Sequence, residues 1–454
     1  MSEALLKGLI PYPRKTEEKD GIFNTDGNVK VYFSEFEVKN YDFWLNKLNF
    51  NVVEKKELKA DCCVILIGKE KQEIIMPQYK GKEAYRIDVT TESIVITANS
   101  CEGLSLALRT LVRIKKLKNN IPCVVIEDEP MVDMRAIHMC IFDPADGTQK
   151  DDTSYVSVKE RIELCALLGY NYVFIEFWGM FPYEKHPYAC WKHSEYTKAG
   201  IEQLIAFCIN DLHITPCPCQ NLTSHAGWSR ISTRRHVVID QNSELADMYI
   251  PGGWCFATEN PKTKQFLQDI IDELVEAFHN PPMFHISCDK AFGFGSTEED
   301  RTKSADILFA QHIANLNTYI TSKGIRPVMW SDMLYTSMDS LTFKCAPFVA
   351  DVLPKNILMN IWTHNDPGEY WGDIDFFQDR GYETVYSPFV NYNSIENMIK
   401  LCLSKKSKGI VQTTWYMPEG AKPYFTYSIA KQWNFDAEIN EIGVNAFLEA
   451  VSKE

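Results

Sequence analysis

Asp289 and Lys290 close the apolar run Met283-Phe-His-Ile-Ser-Cys288, which places a carboxylate and an ammonium where a buried strand opens into a loop. Similar groups end other apolar runs: Glu176-Phe-Trp178, Asn221 with Ser224-His225, Trp330-Ser-Asp332, Trp362-Thr-His364, Tyr386 with Asn391-Tyr392, and Trp415-Tyr416. Tryptophans interleaved with acids, histidines and amides suit a sugar pocket. Indole faces cover the apolar C–H patches of a pyranose, while amides and acids bind its hydroxyls in fixed directions. Any one of these tryptophans taken alone reads as core packing more readily than as binding. Their recurrence at the ends of separate runs, each beside polar groups, carries the reading. His138, inside a strand, reads as a hydrogen-bonded core residue rather than a ligand. His279 and His312 fall on helical segments and carry no signal.

These groups need a frame that gathers strand ends. From residue 131 onward apolar strand candidates near 134–142, 171–177, 213–219, 283–288, 326–330, 357–362, 383–387 and 409–414 alternate with helical segments. The helices are clearest at 157–168, 199–211, 262–279, 303–323, 368–380 and 393–405. Eight buried strands in βα alternation predict a closed (β/α)8 barrel over 131–454, with its site at the carboxyl ends of the strands. An open doubly wound sheet is the competing frame, but no Gly-rich phosphate loop follows the first strand. The stretch exceeds the ~250 residues of a plain barrel and leaves room for long βα loops, the longest at 220–260.

Residues 1–130 read as a small α/β domain. Cys62-Cys-Val-Ile-Leu-Ile-Gly68 is a strand, Tyr85–Val89 and Ser93–Ala98 form a hairpin, and Leu104, Ala107, Leu108, Leu111 and Ile114 recur at helical spacing. The run at 121–126 ends in Glu127-Asp-Glu-Pro130, a polar boundary closed by proline. Nothing in this segment suggests chemistry.

Bulk properties exclude some classes. The chain has 47 Lys and Arg against 61 Asp and Glu, a formal net charge of −14, which argues against nucleic-acid binding. No stretch approaches the ~20 apolar residues of a membrane span, and the opening residues lack a signal-peptide core, so a cytoplasmic protein is expected. Fourteen cysteines include the close pairs Cys62-Cys63 and Cys217-Pro-Cys219, neither with zinc-site spacing. Most others, such as Cys140, Cys165, Cys208 and Cys288, lie in apolar runs as small hydrophobes. Neither a metal nor a cofactor is expected.

The strand-end residues resemble glycoside hydrolase family 20, the β-N-acetylhexosaminidases, over nearly the whole chain. Met134-Arg-Ala-Ile-His-Met139 is similar to the family's first barrel strand, and the resemblance implies that Arg135 binds sugar hydroxyls. Ser224-His225-Ala226 resembles a Pro-Gly-His-Ala turn, which makes His225 the active-site histidine. His285-Ile-Ser-Cys-Asp-Lys290 lines up with His-x-Gly-x-Asp-Glu. Trp330, Trp362 and Trp415 match aromatic walls, and Tyr392 matches the tyrosine that holds the N-acetyl oxygen. The implied substrate is a small carbohydrate or glycoconjugate bearing terminal GlcNAc or GalNAc. The implied chemistry is substrate-assisted and retaining: the acetamido oxygen attacks the anomeric carbon, an aspartate (Asp289) orients that group, and a glutamate protonates the leaving oxygen.

Position 290 departs from this pattern. A free Lys has a pKa of ~10.4, and Asp289 beside it favours the charged form, so Lys290 is a poor proton donor. Cys140 stands where an aspartate is common, Asn221 replaces the acid that supports the histidine, and Ser287 replaces a glycine. Three alternatives follow: a hydrolase using another acid, with Glu176 and Asp332 available; an inactive carbohydrate- or partner-binding barrel; or a hydrolase of an anionic glycoside recruited by Lys290. An ion pair between Lys290 and Glu176 or Asp332 is a further expectation.

Overall fold

The computed structural model describes residues 6–34, 40–60, 62–70, 73–142, 152–227, 235–334, 345, 347–368 and 371–452. The first part of the chain runs β1 (Lys15–Phe23), β2 (Asn28–Ser34), α1 (Asp42–Lys47), β3 (Asn51–Leu58), β4 (Cys63–Gly68), β5 (Tyr85–Val89), β6 (Ser93–Ala98), α2 (Cys101–Lys118) and β7 (Ile121–Asp128). Its strands form one seven-stranded sheet in the order β1-β7-β5-β6-β4-β2-β3. The strands legible in the sequence are the central, apolar ones. The edge strands β1 (Lys-Thr-Glu-Glu-Lys-Asp-Gly-Ile-Phe) and β3 (Asn-Val-Val-Glu-Lys-Lys-Glu-Leu) carry many charges, a composition that protects a sheet edge and hides the strand from pattern reading.

A closed barrel follows. Its strands are β8 (Met134–Ile141), β9 (Tyr172–Phe177), β10 (Thr215–Cys219), β11 (Met283–His285), β12 (Arg326–Trp330), β13 (Leu358–Trp362), β14 (Thr384–Ser387) and β15 (Gly409–Thr413). Each pairs in parallel with the next in sequence, and β15 closes on β8 through partners such as Val411 and Ala136. The strands are buried on both faces, which is why they read as continuous apolar runs.

The intervening helices are α3 (Tyr155–Leu168), α4 (Lys198–Phe207), α5 (Pro261–Ala277), α6 (Ala305–Thr321), α7 (Phe348–Val352), α8 (Gly372–Gln378) and α9 (Tyr392–Lys405); α10 (Lys422–Trp433) and α11 (Glu441–Ser452) close the chain. Local signals set their ends. Ser154, Asn260, Ser304 and Asn391 cap amino termini, and Pro261 opens α5 at a position that needs no N–H. Gly169 ends α3 with φ 104°, and a Cβ there would stand 2.4 Å from the Trp433 ring, so only glycine fits. Two boundaries differ from the sequence reading. The run 283–288 is strand only as far as His285, because Ser287 and Cys288 turn out of register with φ of 57° and 76°. His279 lies beyond α5 in a left-handed conformation rather than on it.

The sheet and the barrel share a polar but fully buried seam. Arg109 on α2 donates to the carbonyls of Ala166 (3.1 Å) and Leu212 (2.6 Å), and Arg113 donates to that of Leu167. The Trp433 indole donates to Asp128 at 2.9 Å.

Candidate functional site

The segment after β11 sets the site. Ser287, Cys288 and Lys290 all have positive φ, as do His225 (47°) and Trp415 (45°), so five non-glycine residues in the left-handed region meet at one end of the barrel. Such conformations cost of order 1–3 kcal/mol each and persist only where surrounding bonds over-determine them. Here Trp330 N–H donates to the Ser287 carbonyl (3.0 Å), the Ser224 hydroxyl donates to the Asp289 carbonyl, and the Trp254 indole donates to the Lys290 carbonyl (2.7 Å). The Lys290 N–H in turn donates to Asp332 Oδ2 at 3.0 Å.

These bonds present Asp289 to two positive or protonatable partners. Lys290 Nζ lies 3.0 Å and His225 Nε2 3.3 Å from Asp289 Oδ2. Burial pushes the Asp289 carboxyl upward, but the charge of Lys290, followed by that of His225, overrides it and holds the group well below the usual carboxylate range. Lys290 thus pairs with Asp289, a partner that the sequence reading did not name, and its charge also acts on Asp332. Its ammonium also lies 4.3 Å from the centre of the Trp362 ring and 6.0 Å from that of Trp415, within cation–π range of both.

Asp332 forms the back of this group. It accepts the Trp362 indole N–H at 3.2 Å as well as the Lys290 N–H. Burial, with the nearby charge of Asp289, raises its pKa, and Lys290 only partly offsets this. Two carboxyls of one site are therefore driven apart, Asp289 downward by the charge of Lys290 and Asp332 upward by burial and the charge of Asp289.

Other expected residues lie deeper. Trp330 is fully buried, its ring 4.4 Å from His285 and 5.4 Å from Trp415, so it supports Trp415 from beneath rather than forming a wall. Glu176 is also buried; it pairs with His138 Nε2 at 2.8 Å and accepts from the Asn221 amide. Asn221 thus serves Glu176 and not His225.

Two expected residues are elsewhere. Arg135 is the second residue of β8 and so stands at the strand's amino end, opposite the site. Its guanidinium is held by Glu83 at 2.7 and 2.9 Å and by the carbonyls of Val132, Asp133 and Gly169. It cannot reach a sugar at the carboxyl end. Tyr392 is the first residue of α9, and its ring packs against Tyr424 (4.7 Å) and Tyr427 (4.9 Å) of α10, outside the strands. Capping by Asn391 turns the chain so that the following ring meets the next helix instead of the barrel mouth.

Trp254 was not anticipated. It comes from the long loop after β10, lies 4.3 Å from the His225 ring and stacks with the exposed Phe292 at 6.2 Å. The signal was Gly252-Gly253-Trp254 in the longest loop, a glycine pair ahead of an aromatic.

The closed parallel barrel thus gathers ionised Asp289, His225 and the indole faces of Trp362 and Trp415 at its carboxyl end. Two models of one family match the sequence: Glycosyl hydrolase family 20, domain 2, over residues 7–129, and Glycosyl hydrolase family 20, catalytic domain, over residues 183–400. The chain carries both domains of that family. Hexosaminidase D of Bos taurus is 25% identical over 189 residues, 39% of this chain and 51% of that protein, so the match spans about half the relative's length. Among solved structures, a Bacteroides fragilis β-N-acetylhexosaminidase (TM-score 0.67, 17% identity) shares 95% of this chain and 92% of its own. A Flavobacterium johnsoniae chitobiase (0.70, 18%) covers 100% of this chain over 73% of its own. A Vibrio harveyi exo-β-N-acetylglucosaminidase in complex with N-acetylglucosamine (0.69, 15%) covers 98% over 76%. These likenesses establish the fold. Among the described residues no helix is long and apolar enough to cross a membrane.

Proposed function

We propose that the barrel mouth binds terminal β-N-acetylhexosamine glycosides, and that Lys290, at the position of the family's proton donor, leaves the chain slow on unactivated substrates. One observation carries this reading: the Lys290 ammonium is ion-paired with Asp289 at 3.0 Å and seated on the Trp362 ring. Ionised Asp289 is the group that substrate assistance requires, since it orients the acetamide and balances charge on the oxazolinium ring. When the acetamido oxygen bonds to the anomeric carbon, the C–O bond to the aglycone breaks and the departing oxygen needs a proton. An ion-paired ammonium gives one up poorly at neutral pH. A nitrophenolate leaves as an anion and needs none.

Nitrophenyl β-GlcNAc and β-GalNAc, compared with chitobiose, test this in the wild type and Lys290→Glu. The substitution should raise chitobiose turnover by ~10²–10⁴-fold and nitrophenyl turnover far less. Wild-type turnover of chitobiose at an ordinary 1–10³ s⁻¹, or no change on either substrate, overturns the reading. Binding of an oxazoline mimic without turnover selects the inactive carbohydrate-binding barrel. No binding of GlcNAc or the mimic rejects the sugar assignment and favours an anionic glycoside held by Lys290.

The raised Asp332 supports a second reading, in which its carboxyl donates the proton. Under that reading Asp332→Asn abolishes chitobiose turnover but spares nitrophenyl substrates, and wild-type activity falls as pH rises through the elevated pKa.

A further inference from the structure

We propose that His138, Cys140 and Glu176 form a binding site for one zinc ion beneath Trp415. The fold makes this trio. His138 and Cys140 alternate on one face of β8, and Cys140 is in register with Glu176 on β9, so three side chains of different donor type converge. His138 Nε2 lies 2.8 Å from Glu176 Oε2 and 3.9 Å from Cys140 Sγ, and Sγ lies 3.6 Å from the same carboxylate oxygen. A tetrahedral zinc ion, with bonds of ~2.0 Å to nitrogen and oxygen and ~2.3 Å to sulfur, holds its ligand atoms roughly 3.3–3.6 Å apart. The three edges bracket that range, so small side-chain shifts accommodate the ion.

The surroundings support a cation. Glu176 is buried with His138 as its ion-pair partner, and among the described residues no Lys or Arg pairs with it, so a cation held by both side chains would supply the counter-charge when His138 is neutral. Its other oxygen accepts from the Asn221 amide, the kind of outer contact that fixes a ligating carboxylate. Imidazole, thiolate and carboxylate together select a borderline-soft ion over magnesium or calcium. Three protein ligands leave a fourth position for water or a substrate atom. The Trp415 ring, 4.9 Å from that of His138, links the trio to the sugar face. Local spacing could not disclose the site, because two strands contribute to it. His138 becomes a ligand under this proposal, contrary to the sequence reading, and the sugar assignment is not needed for it.

The full chain, loaded with zinc and desalted, should retain about one equivalent by elemental analysis. X-ray absorption of that sample should count one sulfur ligand, and the cobalt-substituted chain should show a thiolate charge-transfer band. Cys140→Ser should abolish the band and weaken zinc binding at least ~100-fold, more than loss of an outer contact would. Cys165→Ala, a buried thiol elsewhere, should change neither. No retained zinc, a sulfur count other than one, or a cobalt spectrum unchanged by Cys140→Ser overturns the proposal. If Cys140→Ser fails to fold, the sulfur count on the wild type alone decides it.

Discussion

The Lys290 ammonium sits over the Trp362 ring, 4.3 Å from its centre. The same cation keeps Asp289 ionised, so one side chain sets both the charge and the free aromatic area of the site.

Replacing Lys290 by Met separates these effects. A depressed carboxyl pKa means that contributions from ionised Asp289 are present above the ordinary value of ~3.9 and vanish only as pH falls through the lowered one. Affinity for an oxazoline mimic should therefore be flat from pH 7 to 4.5 in the wild type. In Lys290→Met, burial is no longer overridden by that charge, and affinity should fall several-fold over the same interval. Calorimetric titration at the two pH values checks this, and equal ratios for both proteins would refute it.

Trp415 and Trp330 should respond differently to truncation. Trp415 is partly exposed, and Trp415→Ala should weaken sugar binding about 10-fold, equivalent to ~1.4 kcal/mol, with a small change in stability. Trp330 is fully buried, and Trp330→Ala should cost about 3–5 kcal/mol of stability. Denaturant unfolding and ligand titration on each variant distinguish wall from support.

Arg135→Ala should destabilise the fold by about 3 kcal/mol, since it strips a fully buried guanidinium from Glu83 and three carbonyls. Sugar affinity of the folded variant should not change. A selective loss of affinity at unchanged thermal midpoint would return Arg135 to the site.

Tyr392→Phe should leave sugar affinity within two-fold of the wild type, because the ring lies between α9 and α10. A loss of ten-fold or more would place its hydroxyl in contact with ligand.

The barrel was legible because its strands are buried on both faces and its helices keep clear caps. The meeting of Asp289 and Trp362 around Lys290 was legible in part because polar and aromatic residues at a strand end break an apolar run. Arg135 misled because a strand has two ends, and only register tells that its second residue faces the base of the barrel. The trio under Trp415 was illegible for a related reason: Glu176 meets Cys140 through strand pairing, which sequence distance conceals. The charged edge strands β1 and β3 lacked an apolar pattern altogether.

Arg109 and Arg113 reach from α2 to the carbonyls of Ala166 and Leu167, in the last turn of α3, where Ala166 also accepts the Gly169 N–H at 2.9 Å. The capping of a barrel helix is thus shared between its own Gly169 and the other domain. Neither half is then an independent cooperative unit: calorimetry should record one transition for the whole chain. A fragment cut near 130 would carry α3 carbonyls without their arginine donors on one piece and uncompensated guanidinium groups on the other, making the barrel a poor candidate for transplantation by itself.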